Sequence, residues 1–135
     1  MRKRFENLKN KILKSYQHIV TTLGIPEPPE LCIKLKKRES PNTLGDYSFV
    51  NKTINIYLLP IITQRYSMVF LLLHELGHHI DYVLNHKELF MIPTKEREKR
   101  ADQFAERYYK IFEKKDLQIK ELIEEIISIA KKGVK

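Results

Sequence analysis

Between Leu73 and Asp81 the chain reads LHELGHHID, so His74, Glu75 and His78 stand in the spacing HExxH. On an α-helix, residues four apart differ by only about 40° in direction, and His74 and His78 therefore project from one side. Two imidazoles so placed are a ligand pair for a divalent metal, and zinc is the usual occupant of such a pair. Glu75 lies about 100° from His74 and about 60° from His78, which sets its carboxylate beside the metal, within reach of a water there.

A catalytic zinc takes three protein ligands and keeps a fourth position for water. The next helical stretch offers Glu98, which shares a stripe with Ala101, Asp102, Ala105, Tyr109 and Phe112. An unpaired carboxylate on an otherwise apolar inner face is costly, so Glu98 is expected to meet the metal. The small Ala101 and Ala105 would let its helix come close. Asp102, one turn later, is placed to accept from the non-ligating nitrogen of a zinc-bound histidine and fix its tautomer. Glu88 and Glu96 are weaker ligand candidates, one in a loop and the other turned about 160° from Glu98. His79 points about 140° from His74 and is expected at a boundary with a local hydrogen bond. His18 and Cys32 carry no functional expectation.

This order of residues resembles the gluzincin metallopeptidases, whose pattern is HExxH, roughly twenty residues, then ExxxD on a following helix. It is matched here by His74, Glu75, His78, Glu98 and Asp102. The fuller wording, HELGH followed by Glu98, Ala101, Asp102, Phe104 and Ala105, is similar to the ImmA/IrrE-type peptidases and to the soluble single-domain minigluzincins. The resemblance covers about residues 45–112 and implies a zinc-dependent peptidase acting on peptides or unfolded protein. A metal in such a site lowers the pKa of a bound water, and Glu75 acts as general base for its attack on the peptide carbonyl. Tyr47, Tyr82, Tyr108, Tyr109 and His86 are all open as oxyanion donors. The metzincin extension HExxHxxGxxH fails, because Asp81 and Leu84 occupy its last two positions. A third-histidine site of the SprT kind would have only His86 to use.

Elements that position these groups follow from hydrophobic period. Phe5, Leu8, Ile12, Tyr16, Ile19, Val20 and Leu23 predict a basic amphipathic helix over about 3–22. Gly24 and the prolines at 26, 28 and 29 end it and impose an extended connector. Alternation predicts a strand over 31–36, and two β-rich runs, 46–50 and 53–59, flank Asn51 and Lys52 as a tight hairpin in a small antiparallel sheet. The HExxH helix is expected over 63–85, with Val69, Leu72, Leu73, Leu76, Ile80 and Val83 on its buried back. Gly77 within it predicts a close neighbour, most simply a strand of the sheet. A further helix is expected from Thr94 as N-cap, and a last one over 117–131. The fold class is α+β, one domain over residues 1–135, with a peptidase-like core over about 31–112.

Composition sets the remaining bounds. With 42% hydrophobic and 31% charged residues in 135, the chain has the makings of one packed core. No leader or membrane span is legible, and a single cysteine points to a reducing, cytoplasmic setting. The net charge of +8 is concentrated at the start: residues 1–38 hold ten Lys/Arg against three Glu, and the rest fifteen against fourteen acids. Solvation of a helix face explains this, and the alternative is a nucleic-acid-binding protein or regulatory module with a structural or occluded zinc site. The apolar face from Ile119 to Ala130 belongs to core packing, to a cover over the site that keeps the enzyme latent, or to a homodimer.

Overall fold

The computed structural model describes residues 2–89 and 91–133; the side chains of residues 86–88 lie outside that description, and with them His86 and Glu88. Helix α1 (Arg2–Leu23) buries Leu8, Ile12, Tyr16, Ile19 and Val20 along the expected stripe. The Tyr16 hydroxyl donates to the Pro29 carbonyl at 2.5 Å, which holds the proline-rich connector against the helix it leaves.

Three strands follow: β1 (Glu30–Lys34), β2 (Gly45–Ser48) and β3 (Thr53–Tyr57), in the spatial order β1-β3-β2. Strand β2 pairs antiparallel with β3, setting Asp46 opposite Asn55 and Tyr47 opposite Ile54. Strand β1 runs parallel to β3, with Leu31 opposite Ile54 and Ile33 opposite Ile56. The sheet is therefore mixed rather than antiparallel. The loop from β1 carries the chain past β3's place to lay β2 on the far side, and the hairpin then returns β3 between them, running the same way as β1. The hairpin connection is four residues, Phe49 to Lys52, with Lys52 at φ 48°, not the two-residue turn expected.

Residues read as the end of that strand form a short helix, α2 (Leu58–Gln64). Pro60 sits in its first turn, where a missing N–H costs no intrahelical bond. Arg65 in the left-handed region stops it, and the HExxH helix, α3, spans Met68–Leu89 rather than starting at Thr63. Ser67 caps it, its hydroxyl accepting from the Phe70 N–H at 3.1 Å. A kink at Asn85 (φ −131°, ψ 27°) bends its last turn.

Helix α4 (Thr94–Tyr108) begins on Pro93, so Thr94 is its first helical residue and not its cap. A 3-10 turn (Tyr109–Phe112) leads straight into α5 (Glu113–Gly133). The core joins Leu72, Leu73 and Leu76 of α3 to Ile54 and Ile56 of β3, to α1, and to Phe112 and Ile119. Ile80 and Val83, expected on the buried back, are only half-buried. Helix α5 packs on α1 and α3 through Ile119, Ile123 and Ile126. The architecture is α+β, a small sheet and its flanking helices around α3. Among the described residues no helix is long and apolar enough to cross a membrane.

Candidate metal centre

Helix α3 turns His74, Glu75 and His78 towards a cleft of about 550 Å³, bounded on one side by β2 and on another by the first turns of α4. Burying Val69, Leu72, Leu73 and Leu76 against the sheet and α1 fixes the helix's rotation, so the histidine side must face outward. Helix α4 reaches this side because α3 is cut away at Gly77. A Cβ built there would stand 3.1 Å from Ala101 Cα and 3.1 Å from Phe104 Cβ. The close neighbour of Gly77 is thus α4, not the sheet. Ala101 and Ala105 are buried at this contact, as their size predicts. On the opposite wall Gly45 is as constrained: a Cβ there would meet Asn55 O at 2.9 Å and Leu71 Cδ1 at 3.3 Å.

Three ligand atoms converge. Nε2 of His74 lies 2.8 Å from Glu98 Oε2 and 3.2 Å from His78 Nε2, and His78 Nε2 is 3.2 Å from the same Glu98 oxygen. His74 Nδ1 is 2.8 Å from Asp102 Oδ1. Asp102 and Glu98 are both acceptors, so without a metal the His74 ring can donate from Nδ1 to one and from Nε2 to the other; with a metal at Nε2, Nδ1 keeps its proton for Asp102. Two imidazole nitrogens and a carboxylate oxygen this close need a proton or a metal cation among them.

The donor set fits zinc. Bond lengths of about 2.0–2.2 Å in a tetrahedron put ligand atoms about 3.3 Å apart. The two 3.2 Å separations are close to this, and the 2.8 Å one, a hydrogen-bond distance, would have to widen by about 0.5 Å. Among the described residues, His74, His78 and Glu98 form the group able to hold a metal ion. Glu98 is not the buried acid its stripe implied: its side chain is 52% exposed, and Asp102's is 51%. The convergence of the three atoms, not burial of the carboxylate, is what makes this group able to hold a cation. Burial lowers the His78 pKa against the pull of Glu98, which keeps its nitrogen free to ligate.

Glu75 is 3% exposed. Burial, then the Glu98 and Asp46 charges, push its carboxyl up to about 8. A cation beside it acts the other way. Glu96 does not line the cleft.

Several cleft residues were not legible in the sequence. Asp46 on β2 accepts from Asn55 Nδ2 at 2.9 Å, Lys37 Nζ at 2.9 Å and the Tyr57 hydroxyl at 3.0 Å. Burial opposes its charge, but these three donors outweigh it and hold its carboxyl below the usual range. Tyr66, from the bend before α3, also lines the cleft. Burial raises its phenol, and the charges of Asp102 and Glu75 add to the shift. Of the expected oxyanion donors described here, Tyr47 and Tyr82 line the cleft and Tyr108 and Tyr109 do not.

His79, expected to bond locally, is fully buried and bonds far along the chain. Its Nε2 donates to the Pro26 carbonyl at 3.0 Å, and its Nδ1 accepts from the Tyr47 hydroxyl at 2.7 Å. Only the doubled histidine of HELGHH hinted at it. Helix α5 contributes no residue to the cleft among those described.

Compared with protein-family models, with curated proteins and with solved structures, the chain finds no match.

Proposed function

We propose that this chain is a zinc-dependent peptidase acting on peptides or unfolded segments in a reducing, cytoplasmic setting, its one cysteine being free. The observation that carries the reading is the convergence of His74 Nε2, His78 Nε2 and Glu98 Oε2 beside a buried Glu75 in an open cleft. Zinc held by His74, His78 and Glu98 would supply Lewis acidity towards a carbonyl and a water. Glu75 takes the water's proton on its carboxylate and returns it to the departing amine. Asp102 holds the His74 ring through Nδ1 and so fixes the direction of Nε2.

An edge strand at the cleft supports a reading in which the substrate is extended chain. Strand β2 is an edge of the sheet, and Gly45, Asp46 and Tyr47 line the cleft. A peptide can add there through backbone hydrogen bonds.

The test is the full-length chain loaded with zinc and offered a mixture of fluorogenic peptides. Wild type is expected to bind one zinc and cleave. Glu75→Gln is expected to keep its zinc and lose at least about a hundredfold in turnover. A chain that binds no zinc, or a Glu75→Gln variant as active as wild type, overturns the reading.

A further inference from the structure

Resting on the peptidase reading, we propose that Arg97 is a specificity-determining residue that receives a carboxylate of the substrate, either an acidic side chain or the chain's own C-terminus. Three carboxylates line the cleft, Asp46, Glu75 and Glu98, and Arg97 is the one Lys or Arg among the described lining residues. Each acid already has work in the site: Asp46 holds three donors, Glu98 faces the two imidazoles, and Glu75 sits buried beside them. None of them pairs with Arg97.

The guanidinium has five donor hydrogens, and the hydrogen bond it makes is from Nη2 to the hydroxyl of Thr94, one turn back, at 3.0 Å. Its Nε is shut off from water and has no acceptor. A buried donor without a partner is a rare condition that wants an explanation. Rotation of the side chain into the cleft it lines would uncover Nε, so that Nε and one terminal nitrogen together meet the two oxygens of one carboxylate. That is the fork geometry for which arginine suits a carboxylate better than lysine does. Arg97 directly precedes Glu98, so a substrate anion held there lies on the α4 side of the metal ligands, across the cleft from β2.

The test uses the zinc-loaded full-length protein and paired peptides of one sequence, with Glu or Gln near the cleaved bond, and with a free or amidated C-terminus. Wild type is expected to favour one acidic member by about tenfold in kcat/KM, and Arg97→Gln to bring that acidic-to-neutral ratio to about one. The Glu/Gln pair reads a side-chain carboxylate and the acid/amide pair a terminal one. A second readout needs no turnover: the Arg97 Nε–H resonance is followed while N-acetylalanine or N-acetylglutamine is added, with N-acetylalanine amide as control. It is expected to shift with the acids and not with the amide. Peptides cleaved without discrimination and a resonance that stays still overturn the role of Arg97. A shifting resonance in a protein that cleaves nothing supports the carboxylate site and overturns the peptidase reading instead.

Discussion

Gly77 and Ala101 meet backbone to backbone: the position that any side chain on Gly77 would take lies 3.1 Å from the α-carbon of Ala101. This contact sets how near α4 comes to α3, and therefore whether Glu98 can reach the histidines. It also accounts for a glycine inside a helix, where it costs about 1 kcal/mol relative to alanine.

Gly77→Ala should separate stability from metal binding. The added methyl recovers helix propensity but displaces Ala101 by a few tenths of an ångström. Zinc affinity is expected to fall by about tenfold, while thermal stability moves by no more than about 1 kcal/mol. Chelator competition and calorimetry measure the two; unchanged zinc affinity would show that α4 yields without carrying Glu98 away.

Asp102→Ala frees the His74 ring without removing a ligand. Losing the bond to Nδ1 should weaken zinc binding by about 10–100-fold. Asp102→Asn should fall between wild type and alanine, since its amide oxygen still accepts. Equal affinity in all three would mean that packing alone orients the ring.

Asp46 sets a dependence on acid. Its folded carboxyl titrates below its unfolded value, so the stabilisation is fully present above the unfolded value of about 3.9 and is lost as pH falls through the folded one. The gap in urea midpoint between wild type and Asp46→Asn should hold from neutral pH to about 5, then close on further acidification. A gap that does not change with pH would assign the difference to shape, not charge.

The terminal helix staples the HExxH helix at its start. Asp116 of α5 accepts from the Val69 N–H at 3.1 Å, the Ser67 hydroxyl at 2.9 Å and the Tyr109 hydroxyl at 2.5 Å. A carboxylate there pairs with free N–H groups and the helix dipole. Asp116→Ala is expected to cost about 1–3 kcal/mol. Ending the chain at Lys115 removes Asp116 and the buried Ile119, Ile123 and Ile126, and is expected to give insoluble protein with no gain in peptidase activity. A soluble truncation that gains peptidase activity would show instead that α5 restrains the site.

Legibility followed the range of the signal. The His74, His78, Glu98 and Asp102 arrangement was readable because each pair sits one turn apart on a helix whose apolar back fixes its rotation. The stripes of α1 and α5 were readable for the same reason. Pairing of β1 with β3 was not, because alternation marks a strand but not its neighbour or direction. Pro60 read as a breaker where it opens α2, since proline is equally at home in a first turn. Arg97, Tyr66 and Asp46 meet the site only through the tertiary arrangement, and no local period announces them.

The ring of His79 is gripped at both edges, by the carbonyl of Pro26 and by the phenol of Tyr47. An imidazole gives a proton on one nitrogen and takes one on the other, so it rivets the segment leaving the first helix to the wall of the cleft. The leading residues are thus not an appendage to be trimmed away. A chain begun after Pro26 would leave a bare N–H in the interior, one position along from His78 of the candidate site, and Tyr47 would lose its anchor's other mooring.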